Sequence, residues 1–488
     1  MAKILDLKAS CLHKVFVPAN IDMNTLTKVT APPSISPSFD GGHGPSKFFP
    51  IDTTPALMAL LTSYASNQQP LKVSFREMVP WVHGGNRATH YLHSYPAKLL
   101  PQIAHFFLAT SYLCPEEGTV LDPFSGSGTV MLEAALSGRQ GLFCDANPFA
   151  RFLTQVKTSP IQEETLRMKL ALLKEKYFRS RSRSLTDIVN INYWYTENVA
   201  IALSNLKRSI SAFESDVAQD FFLACLSIIG RKLSLADLRF TVPVRDKKLD
   251  LDYLKNLNKS DVWARYSATV DQALTKIRKL PCGPSFRRPI CVGADARELL
   301  DQWNSIEHPP GSIDFVLTSP PYAGAQKYVR ASSLSMGWVG QVRSTDLASL
   351  EAISIGREHI SKKHRDQLLS TIQDGQDDDL QRIRDINPVR AAITKEYLLG
   401  MTLSVKSIMD VLRPDGYAVV VMGDNTISGS HFPTAERIAR MFEATGAIRR
   451  LELQDVIRSR ALQTRRAGGI SHIKHESVYV FQKVGQEV

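Results

Sequence analysis

The chain is expected to be an α/β protein built on a doubly wound, mostly parallel sheet, because short apolar runs alternate with helical patterns and each run stops at a polar or glycine-containing tip. Two further patterns refine this expectation. Residues 159–289 carry apolar side chains at helical spacing, far more than a crossover between strands needs, so they read as an inserted, largely helical domain. Residues 448–453 and 476–482 read as an antiparallel pair, which gives the sheet a reversed terminal strand.

At 488 residues the chain is too long for one ordinary core, so several domains or one domain with large insertions are expected. A hydrophobic content of 43% with 22% charged residues is that of a soluble globular protein. No apolar stretch reaches membrane-spanning length and the first residues lack the apolar core of a signal peptide, so a cytoplasmic location is expected. The cysteines (Cys11, Cys114, Cys144, Cys225, Cys282 and Cys291) form no C-x-x-C pair, which argues for reduced thiols and against a zinc site or a disulfide framework.

In chain order, residues 1–40 end in Pro32-Pro33-Ser34-Ile35-Ser36-Pro37-Ser38 and read as an N-terminal arm. The first part of the sheet domain follows at 41–158. In it Tyr95-Pro96-Ala97-Lys98 precedes an apolar helix through Ile103, Phe106, Phe107 and Leu108, with Pro101 suited to its first turn. Thr119-Val120-Leu121-Asp122 is a short buried strand, Pro123-Phe124-Ser125-Gly126-Ser127-Gly128 a tight turn, and Thr129 opens a helix. Gly126 and Gly128 leave no Cβ where backbone must approach a ligand. A dinucleotide-binding G-x-G-x-x-G would need a third glycine where Met131 stands. The next strand, 141–144, ends in Asp145, where a doubly wound sheet places a carboxylate to grip ribose hydroxyls. Beyond the insert, strand 290–293 leads into Asp295, which reads equally as a helix cap.

The strand 313–318 then delivers Ser319-Pro320-Pro321-Tyr322. Consecutive prolines neither continue a helix nor pair inside a sheet, so the strand must stop there and present a rigid tip. The Ser319 hydroxyl and the carbonyl of Ser319 or Pro320 can accept both N–H hydrogens of an exocyclic amino group, while Tyr322 offers a flat face to an extruded base. This part of the domain spans 290–338, and 339–390 reads as an insertion loop, with the acid-rich 373–379 as its mobile part. The domain closes over 391–488 with a helix at 391–412, a link through Arg413-Pro414-Asp415-Gly416, a strand at 417–422 and the antiparallel pair.

These motifs resemble those of the S-adenosylmethionine-dependent amino-group DNA methyltransferases of TSPPY type, which carry an S/D/N-P-P-Y tip on the fourth strand and a D-P-F-x-G-x-G-T cofactor loop. The resemblance covers roughly 85–155, 290–340 and 400–485 and implies a class I methyltransferase-like, Rossmann-like fold. It implies S-adenosyl-L-methionine as cofactor, contacted by Tyr95, Pro96, Lys98, Asp122, Phe124, Gly126, Gly128, Thr129, Asp145 and Asp295. It implies catalytic roles for Ser319, Pro320, Pro321 and Tyr322, and double-stranded DNA with a flipped base as partner. Neither metal nor membrane is required, and the oligomeric state is open. The hydroxyl-proline context leans toward cytosine N4; adenine N6, an RNA base, or a catalytically silent nucleic-acid binder are the alternatives. By motif order, 159–289 falls where such enzymes carry target recognition.

Charge points the same way. The net charge is +11 and the pI about 9.3, which favours a polyanionic partner. Residues 159–290 hold 23 Lys and Arg against 14 Asp and Glu, so most of the excess lies in the insert. A second basic cluster, Arg458, Arg460, Arg465, Arg466 and Lys474, surrounds Gly468-Gly469. Pro281-Cys282 and Glu197-Asn198-Val199 imitate the motifs of carbon-5 cytosine methylation, but in reversed order. His359 and His364 are five apart, which is not the spacing of a helical zinc pair, and are expected to be solvated.

Overall fold

Ten strands form in chain order: β1 (Leu71–Val73), β2 (Thr119–Asp122), β3 (Gln140–Cys144), β4 (Ile290–Gly293), β5 (Ile313–Thr318), β6 (Leu412–Met422), β7 (Asn425–Ile427), β8 (Ser430–Phe432), β9 (Ala447–Val456) and β10 (His475–Lys483). They come from a computed structural model that describes residues 48–96, 98–303, 309–323, 327–373, 375, 377–456 and 475–485. Eight strands make one sheet in the order β1-β9-β10-β6-β5-β2-β3-β4. β10 runs antiparallel to both its neighbours, and every other pairing in the sheet is parallel. The expected doubly wound sheet with a reversed terminal strand is therefore present.

The chain winds outward from β2 through β3 to β4, then returns to β5 on the other side of β2. Such a reversal opens a crevice at the carboxyl ends of the two central strands, where ligands bind in open α/β sheets. Alternation along the strands feeds two cores. Leu121, Leu142 and Val316 pack on one face, and Val120, Phe143 and Phe315 on the other. Helix Pro101–Leu108 is buried at every position but Gln102, as its largely apolar sequence requires.

The insert is helical, with long helices at Glu163–Arg179, Glu197–Ser211, Val217–Lys232 and Lys259–Ile277. Asp216 caps the third of these through Gln219 N, and Asn258 with Asp261 forms a capping box on the fourth. The insert shares its core with the sheet domain. Gly230 lies so close to Trp338 that a Cβ would sit 2.4 Å from Cδ1, and Trp338 Nε1 donates to Tyr195 Oη at 2.8 Å. Trp338 belongs to helix Tyr328–Val339, the first helix after the Ser-Pro-Pro-Tyr tip, so the insert is docked on the element that follows that tip.

Several expectations change. The segment 339–390 is not a plain insertion loop but carries helices Leu347–Ile353, Lys362–Ser370 and Asp378–Ile386. Asp377, read from sequence as part of a mobile acidic loop, caps the last of these, and Arg437 pairs with Asp377 at 2.6 Å and Asp379 at 2.8 Å. Acidic side chains at a helix start are favoured by the macrodipole, and a distant arginine supplies the countercharge. β6 begins at Leu412, with the Arg-Pro-Asp-Gly link inside it and Asp415 at φ 59°. The β7–β8 hairpin was not anticipated; it turns through Ser428 and Gly429 at φ 51° and 82°, the pattern of a type I′ turn. His364 is not merely solvated, since its Nε2 lies 2.6 Å from Glu396, which also pairs with Arg357 at 2.8 Å. The arm 1–40 and the basic cluster around Gly468 lie outside the described residues.

Candidate active site

Parallel pairing of β2 with β5 sets Val120 beside Phe315 and Leu121 beside Val316, so both strands end at the same level of the sheet. Thr318 Oγ1 then donates to Asp122 Oδ1 at 2.7 Å, and Phe124 N to the same oxygen at 3.2 Å. Asp122 is thus a buried staple between the two tips. It does not line the cleft, so its contribution to a cofactor is through the shape of the turn. Burial pushes its carboxyl up to about 7, against the lowering effect of these hydrogen bonds.

The turn itself uses both glycines in the left-handed region, Gly126 at φ 48° and Gly128 at φ 70°. Their reasons differ. A Cβ on Gly128 would sit 2.9 Å from Thr154 Cα, so this glycine is demanded by packing against helix Pro148–Lys157. A Cβ on Gly126 would meet only the Tyr95 ring at 3.6 Å and a backbone oxygen, so it would project into the cleft. Thr129 is buried at the helix start, beside Ser127 Oγ at 3.2 Å. The fully buried Lys157 donates from Nζ to the Ser127 carbonyl.

The cleft is lined by Tyr95, Phe124, Gly126, Asp145, Asp295, Ser319 and Pro321 among the residues expected from sequence. The glycine turn and the proline corner, far apart in sequence but on neighbouring strands β2 and β5, therefore face one space. Asp145 accepts from Gly126 N at 2.7 Å and Asn147 N at 2.8 Å, one bond to each oxygen, which leaves lone pairs toward the cleft. Asp295 is the helix cap that its sequence also allowed, held by Arg297 at 2.6 Å, while still reaching the cleft wall. Pro96 and Lys98 line a neighbouring cavity instead. Pro320 is buried behind the tip. Tyr322 is half-buried against the sheet core, its hydroxyl 3.3 Å from Glu476 Oε1 on β10.

Four contributors escaped sequence reasoning. Asn147 donates to Tyr95 Oη at 3.1 Å and to Ser332 Oγ at 3.2 Å, fixing the tyrosine at the cleft. Tyr328 and the stretch 353–355 complete the lining of the cleft. Glu476 holds Tyr322. For Asn147 a signal existed, because Asn-Pro after a strand is a helix-cap pattern; the others depend on partners far along the chain.

A buried ion cluster anchors the Tyr95 segment. Glu133, wholly buried in the helix after the glycine turn, binds Arg87 Nε at 2.6 Å and Nη2 at 2.7 Å. His90 Nε2 lies 2.7 Å from the same carboxylate. Burial holds His90 down at about 4, so it is neutral and donates through Nε2, consistent with an unpartnered Nδ1. Glu133 stays ionised because the Arg87 guanidinium and the histidine hydrogen bonds outweigh its burial.

The residues fit S-adenosylmethionine: a cradle open at Gly126, a buried Ser125 hydroxyl without a protein partner, and a carboxylate at Asp145 suited to ribose hydroxyls. Two measurements test this fit. Gly126→Val is expected to weaken cofactor binding by at least about tenfold in calorimetry, because the branched side chain enters the cradle from a backbone that disfavours it; unchanged affinity would remove the turn from the cofactor site. The second concerns pH. Burial raises Asp145 to about 6, so the empty folded chain binds that proton more tightly than the unfolded chain, and the raised Asp122 and Asp145 together cost stability as pH rises from about 4 to about 7. Ribose hydroxyl donors favour the carboxylate form, so cofactor affinity is expected to fall as pH drops through about 6, and Asp145→Asn to flatten that profile.

The family model described as UPF0020, RMKL-like, methyltransferase domain, matches residues 89–188. The chain is 24% identical to the Type II methyltransferase M.MvaI of Kocuria varians over 384 residues, covering 73% of this chain and 81% of that protein. It is 29% identical to the Type II methyltransferase M.MjaII of Methanocaldococcus jannaschii over 85 residues, 17% of this chain and 14% of that one. Among solved structures, the rRNA methyltransferase aviRa of Streptomyces viridochromogenes aligns with a TM-score of 0.30 at 13% identity, over 84% of this chain and 96% of that chain. The chain is therefore similar to a Type II methyltransferase over most of its length and to a methyltransferase-domain family over residues 89–188.

Proposed function

We propose that the protein methylates the exocyclic amino group of a base in double-stranded DNA, at cytosine N4. The observation that carries this reading is the shared cleft: Ser319 and Pro321 at the end of β5 face the space bounded by Gly126 and Asp145 at the ends of β2 and β3. S-adenosylmethionine, when bound, supplies a methyl group on a sulfonium centre. Gly126, Phe124, Asp145 and Asp295 would hold it, with Tyr95 closing one side.

The remaining chemistry belongs to the proline corner. An amino nitrogen on cytosine or adenine is a weak nucleophile because its lone pair is delocalised into the ring. The Ser319 hydroxyl and the Ser319 or Pro320 carbonyl accept its two hydrogens and draw the nitrogen toward a tetrahedral shape. Pro320 and Pro321 keep those acceptors from moving, so most of the rate comes from placement. Tyr322, braced by Glu476, presents part of its ring to the base, which must leave the stack to reach this depth. The methylated nitrogen is strongly acidic and its proton passes to solvent. Among the described residues no His, Cys, Asp and Glu cluster could hold a metal ion, and no helix is long and apolar enough to cross a membrane.

Cytosine N4 is favoured by the Thr318-Ser319-Pro320-Pro321-Tyr322 context, while adenine N6 offers the same amino group to the same acceptors. Incubation of unmodified DNA and, separately, RNA with the protein and S-adenosylmethionine, followed by nucleoside mass spectrometry, decides between them. N4-methylcytosine is expected in DNA; N6-methyladenine would move the target to adenine, product in RNA alone would replace the substrate, and no product would leave a silent binder.

A further inference from the structure

Beside the cofactor cleft the insert faces residues 91–96 and Lys98 across a cavity of about 1000 Å³. Five cations line it: Arg76 and Lys98 from the sheet domain, and Arg231, Lys232 and Lys276 from insert helices Val217–Lys232 and Lys259–Ile277. Among the described residues no aspartate or glutamate lines it. The hydrogen bonds these cations make go to neutral groups: Lys98 Nζ to the His93 carbonyl at 2.6 Å, Lys276 Nζ to the Tyr91 carbonyl, Arg231 Nη2 to the carbonyls of Asp237 at 3.0 Å and Phe240 at 2.8 Å, and Arg231 Nη1 to Ser234 Oγ at 3.5 Å. The wall is thus strongly positive, with the Asp237 carboxylate near Arg231 as a countercharge outside the lining. Burial and then Lys276 hold the Lys98 ammonium down at about 8, and Lys276 is itself lowered by burial and by Lys279 and Lys232, so the cations repel one another. An anion between them relieves both the repulsion and the desolvation.

Shape narrows the ligand. The volume stands at the top of the roughly 300–1,000 Å³ range of small-molecule pockets, too small to enclose a duplex. Aromatic surface interleaves the charge: Tyr91 is 49% exposed beside Lys98, which lies over its ring at 5.2 Å, and Phe240 lines the opposite side. Cations with stacking faces are the composition of a single-strand site. Tyr95 lines this cavity and the cofactor cleft alike, so the two spaces adjoin.

We propose that this cavity holds one locally splayed strand of the DNA, with phosphodiester groups on Lys98, Lys232 and Lys276 and a base against Tyr91, next to the position of the target base. The inference rests on the methyltransferase reading above and adds to it where the strand leaves the duplex. The test is fluorescence anisotropy of a short labelled single-stranded DNA across a salt series, with the wild type and the Lys232→Gln/Lys276→Gln pair. The pair is expected to bind about tenfold more weakly, with a log–log salt slope smaller by roughly 1.4, given about 0.7 per phosphate on single strands. Lys276→Arg should keep the wild-type slope, and S-adenosylmethionine affinity by calorimetry should stay within about twofold in every variant. If the pair fails to fold, Lys232→Gln alone should show about half the slope change.

An unchanged slope overturns the inference, as does weaker cofactor binding with intact oligonucleotide binding, which would give the cavity to the cofactor. A loss seen with duplex but not with the single strand overturns it too, since the lysines would then act outside the cavity. A wild type that methylates DNA while the pair binds the oligonucleotide normally removes this inference alone. A wild type that neither binds nor methylates DNA removes the function as well.

Discussion

Ser319→Ala is expected to lower methyl transfer by roughly 100-fold while leaving cofactor affinity within about twofold, because it deletes one of two acceptors for the amino hydrogens without touching the glycine turn. The substitution removes one hydroxyl from a tip held by flanking prolines and by the Thr318–Asp122 bond at 2.7 Å, so the corner should keep its shape. Turnover with saturating DNA and cofactor, together with calorimetry of the cofactor alone, separates chemistry from binding. Wild-type turnover in the variant would take Ser319 out of the mechanism. A parallel loss of cofactor affinity would instead mean that the corner supports the glycine turn rather than the substrate.

The largest effect on stability is expected at Glu133. Alanine there leaves the Arg87 guanidinium, with only 9% of its side chain exposed, without its carboxylate, and such broken buried pairs cost about 3–5 kcal/mol. The loss has a functional consequence. Arg87 and His90 hold the chain that leads to Tyr95, and Tyr95 walls both the cleft and the basic cavity. Denaturant titration should therefore show a lower midpoint in Glu133→Ala, and residual folded protein should bind cofactor less well. Glu133→Gln, which keeps the volume and one acceptor, should fall between. A midpoint equal to wild type would show that the cluster is not a structural anchor.

Much of this architecture is local and legible in the sequence. The glycine turn with its following helix, the Ser-Pro-Pro-Tyr tip, the long helices of the insert and the closing antiparallel pair each follow from patterns within a few residues, namely apolar periodicity, glycine spacing and proline exclusion. The misreadings have the opposite character. Asp377 looked like loop because acidic residues resist burial, and it caps a helix because Arg437, 60 residues on, neutralises it. Lys98 and Tyr95 are neighbours in one motif, yet Tyr95 reaches both the cleft and the basic cavity while Lys98 reaches only the basic cavity. Glu476 carries no motif at all, and its place beside Tyr322 exists only because β10 returns against β6.

The sequence by itself determined which strand ends carry chemistry, since a proline corner or a glycine turn is imposed by the dihedral limits of its own residues. Only the tertiary structure decided that these ends meet. Asp122 and Thr318 are 196 residues apart, and what joins them is the pairing of β2 with β5 after the chain reverses direction across the sheet. That pairing is chosen by burial of two apolar faces over the whole sheet, a cooperative quantity that no single segment encodes.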